Sequence, residues 1–360
     1  MTRKLRTGRT TGSCAAAAAM AGTIFLLTGK QPASIDVPLP PGGRLSVPID
    51  RYEQQGEKDS LRVSVIKDGG DDPDATHGCD IQAIISIDHD SPGPLTVFID
   101  GGIGVGRATL PGLPVKVGTA AINPEPLRQI ETSVREAAES MESGRITVLI
   151  EVPEGETIAK RTLNPRLGIK GGISILGTHG IVKPYSHDSW KATVEEALDV
   201  ARAQGLDHAI FTTGRSSERL YQETHPKTPV LALVQAADFF EFSMQAATKR
   251  KFSRVTWSLF FGKLVKQAQG LAYTHARTHP VDFSRLADWC KEAGVADEYQ
   301  DAIRGANTAR QVLMMLEGDA ARPRLVELLV SEAKRNAERF CEGRCEVGYV
   351  VFDFDGTRLT

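Results

Sequence analysis

The feature that most constrains this chain is a change of rhythm along it. From about Lys170 onward, short continuously apolar runs alternate with amphipathic ones. Gly172 to Gly177, His208 to Thr213, Val230 to Val234, Arg254 to Phe260 and Gly348 to Phe354 read as strands. Trp190 to Gln204, Glu218 to Glu223, Ala237 to Lys249 and Gly262 to Gly270 read as helices. Strictly alternating elements with apolar strands predict a parallel sheet covered on both faces by crossover helices. Further helical patterns beyond Val281 predict a helical insertion before the last strand. Ahead of this region strands dominate: Leu61 to Lys67, Asp80 to Asp88, Leu95 to Asp100 and Arg145 to Val152, with one amphipathic helix from Pro124 to Ser140. Two β-like runs between Ser34 and Asp50 flank Pro40-Pro41-Gly42-Gly43, which is turn chemistry and predicts a hairpin. The expected fold class is therefore α/β and α+β in two domains. Residues 1–165 form an N-terminal α+β domain with a mixed sheet, and residues 166–360 a C-terminal Rossmann-like α/β domain.

Composition narrows the function classes. The 43 basic and 45 acidic residues leave a net charge of −2, too balanced for a pervasive nucleic-acid-binding surface. A small-molecule substrate is the better expectation. The apolar run Cys14 to Leu27 is interrupted by Gly22 and Thr23 and falls short of the roughly 20 residues that cross a bilayer. No membrane span or secretory signal is read, since Thr10 to Ser13 separate the basic start from that run, and the cytoplasm is the expected compartment. Five scattered cysteines, an odd number in a chain of this length, are expected to be thiols.

Five glycine-rich or polar segments could carry chemistry. Thr7-Gly8-Arg9-Thr10-Thr11-Gly12-Ser13-Cys14 opens a helix, with Ser13 as expected cap and Gly29 as terminator. Hydroxyls and free N–H groups at a helix start suit a carboxylate or phosphate, although a capped helix with a buried Cys14 uses the same residues. Lys67-Asp-Gly-Gly-Asp-Asp-Pro-Asp-Ala-Thr-His77-Gly lies between two strands. It gathers four carboxylates and a histidine, more than a turn needs, and such crowding can share or move protons. A solvated turn is the alternative. Asp100-Gly-Gly102-Ile-Gly104-Val-Gly-Arg107 follows an apolar strand and partly matches a dinucleotide loop, but Pro111 to Pro114 stand where a helix should begin. A tight turn needing positive φ explains it equally well. Finally, Gly177-Thr178-His179-Gly180 and Thr212-Thr213-Gly214-Arg215 fall at predicted strand ends, where open α/β sheets place ligands. His275 and His279, and Cys341 and Cys345, are each four apart but lack the further ligands of a zinc site, so no protein-bound metal is expected.

These motifs, with Ala121-Ile-Asn-Pro, Asn164-Pro-Arg-Leu-Gly-Ile-Lys-Gly-Gly-Ile-Ser-Ile-Leu-Gly-Thr178 and Tyr273-Thr-His-Ala-Arg277, resemble the CbiD family of cobalt-precorrin-5B C(1)-methyltransferases over essentially the whole chain. The resemblance implies transfer of a methyl group from S-adenosylmethionine to carbon 1 of a tetrapyrrole in the early-cobalt (anaerobic) route to cobalamin. It implies no nucleic-acid or membrane partner, and allows transient contact with neighbouring pathway enzymes. Under it, Asp71, Asp72 and His77 are the acid-base candidates. Thr10, Thr11, Ser13, Lys67, Arg107 and Arg166 are candidates to hold the substrate's carboxylates. Gly177, Thr178, Gly180, Thr213 and Gly214 are candidates for the methyl donor, with Gly102 and Gly104 as its competing placement. The chain departs from the family pattern at Arg9, where an aromatic residue is usual, at Ser13 in place of Thr, and at Leu259-Phe-Phe-Gly-Lys263 in place of Gly-His-Ile-Gly-Lys. Two rival readings are a noncatalytic tetrapyrrole-binding or channelling protein, motivated by the last departure, and a nucleotide-dependent oxidoreductase, motivated by the glycine loop alone.

Overall fold

A computed structural model describes residues 5–54 and 60–360. The chain divides into two compact units, Met1–Ser186 and His187–Thr360.

In the first unit, β1 (Gly8–Arg9) leads into α1 (Thr11–Thr28). Thr10 caps α1: its backbone is extended and its hydroxyl accepts the N–H of Ser13. Ser13, the expected cap, lies inside the first turn, because a cap needs the non-helical backbone that Thr10 has. Gly29 closes the helix at φ 71°, as expected. The hairpin is also present, β2 (Ser34–Pro38) against β3 (Arg44–Pro48), turned by Gly42 and Gly43 at positive φ. There follow β4 (Arg51–Gln54), β5 (Ser60–Ile66), β6 (Asp80–Asp88), β7 (Thr96–Gly101), β8 (Gly104–Val105), β9 (Arg107–Ala108), α2 (Pro124–Ala137) and β10 (Arg145–Glu151). Five of these strands form a mixed sheet in the order β4-β5-β6-β10-β7, antiparallel except for β10 beside β7.

Alternate residues of the sheet, such as Val63, Ile85, Val148 and Ile150, are fully buried, which is the period-2 pattern of a half-covered sheet. α1 packs on β5, β6 and α2. Its length and apolarity match a membrane helix, yet Cys14 to Ala19 are completely buried inside the unit. Small side chains allow that approach: a Cβ on Gly22 would stand 2.3 Å from Ile85 Cδ1. The unit ends with α3 (Gly155–Ala159), β11 (Ile169–Lys170), β12 (Gly172–Ile173) and β13 (Ile181–Val182).

The second unit runs α4 (His187–Ala203), β14 (His208–Thr212), α5 (Arg215–Thr224), β15 (Leu233–Gln235), α6 (Phe240–Lys249), β16 (Arg254–Phe260) and α7 (Phe261–Ala268). It continues through α8 (Phe283–Glu292), α9 (Gln300–Arg304), α10 (Ala309–Met315) and α11 (Ala321–Phe340) to β17 (Glu346–Phe352). The four strands are all parallel in the order β15-β14-β16-β17, with the helical insertion where it was expected. Phe211, Phe240 and Trp257 pack ring to ring in its core.

Further expectations change. The run Gly172 to Gly177 is no strand of the parallel sheet; only Gly172–Ile173 pair, in parallel, with β8 of the first unit. That pairing and the contacts of residues 176–182 with the start of α1 carry the boundary from 165 to Ser186. The third predicted strand starts later, at Leu233, because Val230–Ala232 form a 3₁₀ turn.

Candidate functional site

In the first unit the helix start and the acidic loop are one structure. Arg9 N–H donates to the Asp68 carbonyl at 2.7 Å, and Asp71 N–H to the Arg6 carbonyl at 3.0 Å. Glycine is required at this crossing: a Cβ on Gly8 would stand 2.2 Å from the Gly69 carbonyl carbon, and Gly70 has φ 69° with Arg6 O 2.3 Å from its Cβ position. The carboxylates are individually placed. Asp68 pairs with Arg6 and accepts Gly70 N–H, and these bonds pull its pKa down to about 2. Asp71 accepts Arg6 N–H at 2.8 Å, and Asp72 accepts Tyr185 N–H at 2.9 Å. Lys67, whose side chain is 1% exposed, donates to Asp74 Oδ2 at 2.5 Å, and Asp74 also accepts Thr76 N–H and Oγ1–H. Burial opposes ionisation of Asp74, but the charge and hydrogen bond of Lys67 with those of Thr76 outweigh it and hold the pKa below the ordinary value. His77 Nδ1 accepts Gly69 N–H at 3.0 Å, which fixes its tautomer and places any proton on Nε2. The exposed imidazole sits 3.9 Å from Asp68.

The hydroxyls expected to hold substrate are turned inward. Ser13 Oγ donates to Gly180 O at 2.8 Å, Thr10 Oγ1 to the same oxygen at 3.3 Å, and Thr11 Oγ1 to Leu176 O at 3.1 Å. All three residues are buried. They tie Leu176 and Gly180 to the start of α1, while Thr178 between them is exposed; a Cβ on Gly177 would stand 2.5 Å from Thr10 Cβ. The glycine loop after β7 is likewise filled by protein. A Cβ on Gly104, at φ 72°, would stand 1.7 Å from Val152 O, and those on Gly155 and Gly172 would each stand 2.0 Å from Gly104 O. Gly102 would meet Glu151 at 2.8 Å. Arg107 bends back to Asp100 at 2.9 Å and to Gly101 O at 3.1 Å. Arg166 is half-buried in the turn before β11. Cys14 and Cys79 are buried thiols whose pKa burial pushes up to about 12, and all five cysteines are free.

The second unit holds a cavity of about 760 Å³ at the carboxyl ends of β14, β16 and β17. The chain leaves β14 toward β15 on one side while β16 lies on the other, so this is the switch point where open α/β sheets bind ligands. Thr213 and Gly214 line it, as the sequence led one to expect, at the start of α5. Phe260 and Phe354 stack at 5.2 Å to form an apolar wall, and the Arg310 guanidinium lies 5.1 Å from the Phe354 ring. Lys263 and Lys266, one turn apart on α7, both donate to Thr274 O at 3.1 Å. Asp238 pairs with Lys263 and accepts the Thr274 hydroxyl, which pins the Tyr273 to Pro280 wall. Burial, then repulsion from Lys266, lowers the Lys263 pKa to about 8.

Residues 1–184 match the family described as CbiD, and residues 273–360 match its C-terminal domain. The chain belongs to the CbiD family. It is 47% identical to the cobalt-precorrin-5B C(1)-methyltransferase of Nitratidesulfovibrio vulgaris, covering 99% of this chain and 92% of that one. It is 42% identical to the protein of that name from Geobacillus sp. strain WCH70, covering 99% and 96%. A crystal structure of a cobalamin biosynthesis protein (CbiD) from Archaeoglobus fulgidus aligns at 29% identity and TM-score 0.39, over 74% of this chain and 80% of that one.

The methyl donor implied for a CbiD protein fits these loops unevenly. Gly102 and Gly104 are packed by Glu151 and Val152, and Gly177 by Thr10 and Gly180 by Ser13 and Leu39, so these glycines offer it no open backbone, although Thr178 is exposed. The cavity has room, and the α5 start suits a carboxylate. Its lining, however, brings Arg215, Lys263, Lys266 and Arg310 and, among the described residues, no Asp or Glu to face a sulfonium, an ammonium or ribose hydroxyls. Of the residues that depart from the family pattern in this segment, Leu259 and Phe261 are core, while Phe260 lines the cavity beside Gly262 and Lys263, which keep the pattern. Sequence reading placed Arg215 in the Thr212–Arg215 strand-end segment without giving it a role, and missed Lys266 and Arg310. The available signal was the Lys263 and Lys266 pair in an otherwise apolar helix beginning at a strand end.

Proposed function

We propose that this chain is a cobalt-precorrin-5B C(1)-methyltransferase, taking its methyl group from S-adenosylmethionine in the early-cobalt route to cobalamin and working in the cytoplasm. The observation that carries the reading is 47% identity, over 99% of the chain, to a protein bearing that name. The motifs that underlie the resemblance in residues 8–178 are also the ones whose glycines and cap organise the first unit.

Bound, the donor supplies an electrophilic methyl group to the electron-rich ring carbon. The protein's task is then alignment and exclusion of water, and needs no protein nucleophile. That agrees with cysteines held as neutral thiols by burial. With Nδ1 accepting Gly69 N–H, His77 Nε2–H can donate a hydrogen bond toward substrate, and the imidazole would take a proton from the methylated ring only at Nδ1, once Gly69 N–H has been released. Asp72 orders Tyr185 beside that loop, and Asp71 orders Arg6. Lys67, Arg107 and Arg166 are the cations of this unit that the reading assigns to substrate carboxylates. Arg107 is exposed and already holds Asp100, so it would act with that partner, whereas Lys67 is buried on Asp74 and would order the loop rather than meet substrate. The test is anaerobic incubation with cobalt-precorrin-5B and methyl-labelled S-adenosylmethionine, followed by mass and position analysis. Label at carbon 1 is expected; tetrapyrrole binding without label would favour the noncatalytic binding protein.

A further inference from the structure

The cavity of the second unit has two properties that point to one ligand chemistry. Its walls are apolar where Phe260, Phe354, Val281 and Phe283 face it. Its charged lining is cationic: Arg215, Lys263, Lys266 and Arg310, with no carboxylate among the described lining residues. Asp238, behind the lining, pairs with Lys263. Lys266, at 6% exposure, meets the Thr274 carbonyl, a dipole that leaves its charge unneutralised. A buried ammonium paired with a carbonyl is costly unless a counter-charge arrives, and an incoming carboxylate would supply it. We infer that this cavity receives the carboxylate-bearing edge of the tetrapyrrole rather than the sulfonium donor. The aromatic wall takes the ring edge, and Lys266, Arg215 and Arg310 take its acidic arms through charge-assisted hydrogen bonds. For the identity of the macrocycle the inference rests on the function proposed above.

Uroporphyrin, a stable polycarboxylate tetrapyrrole, is the probe, titrated into the full chain by fluorescence quenching beside adenosylhomocysteine. Wild-type protein is expected to bind it, to bind it more weakly as salt rises, and to ignore a tetracationic porphyrin. Arg215→Gln, Arg310→Gln and Lys266→Met should each weaken uroporphyrin about tenfold, the loss of one charge-assisted contact, and leave adenosylhomocysteine unmoved. Arg215 and Arg310 are exposed, so their variants should fold even if Lys266→Met does not. Unchanged uroporphyrin affinity in both arginine variants overturns the inference, as does selective loss of adenosylhomocysteine affinity. Methyl transfer by the wild type is read separately: its absence would remove the proposed activity while the porphyrin result still decides the cavity.

Discussion

Lys67 Nζ lies 2.5 Å from Asp74 Oδ2, joining the end of β5 to the far side of the acidic loop through a lysine almost wholly removed from water. Breaking a buried pair strands the charge that stays behind. Asp74→Asn leaves the more deeply buried partner stranded and should cost about 3 kcal/mol. Lys67→Met leaves a partly exposed carboxylate still bonded to Thr76 and should cost less, roughly 1 to 2 kcal/mol. Urea unfolding of both variants checks the order; equal or reversed losses would contradict the account.

Gly104 and Gly262 separate glycine as necessity from glycine as habit. Gly104→Ala puts a methyl 1.7 Å from Val152 O at φ 72°, against backbone that cannot yield, and should prevent accumulation of folded protein. Gly262 has open space around it in the first turn of α7, so Gly262→Ala should hold or raise stability, by up to about 1 kcal/mol. Soluble yield and melting temperature distinguish the two.

Lys263 gives a pH dependence of unusual sign. Its folded pKa of about 8 lies below the unfolded value, so between roughly pH 8 and 10.4 the unfolded chain binds more protons there. This group's contribution to stability therefore rises with pH across that window and is flat below it. The difference in unfolding free energy between wild type and Lys263→Met, followed from pH 7 to 10.5, should increase in favour of the wild type. A falling difference would mean that the Asp238 pair, and not burial, governs the lysine.

If the His77 imidazole gives up Gly69 N–H and takes the ring's proton at Nδ1, His77→Ala should lower methyl transfer by about 10² to 10⁴-fold. Asp72→Asn keeps an acceptor for Tyr185 N–H and should retain the fold while testing the charge. Unchanged turnover in both would take the loop out of the chemistry.

By itself the sequence determined the local elements and their order. β6 and β16 occupy the residues their alternation or apolar run marks, Gly29 ends α1, and the insertion precedes β17. These follow from periodicity, caps and turns, which act over a few residues. Family membership was legible too, because it rests on long ordered motifs. Only the tertiary structure decided what the glycines and hydroxyls touch. Thr10, Thr11 and Ser13 bond to carbonyls some 165 to 170 positions away, and Gly104 is packed by Val152 and Gly172. The same residue types would serve a ligand or a neighbouring backbone, and spacing alone does not separate the two. Nor does spacing show that Arg215, Lys263, Lys266 and Arg310, scattered over nearly a hundred positions, line one cavity. That juxtaposition comes from the parallel sheet, which brings the carboxyl ends of distant strands to one edge.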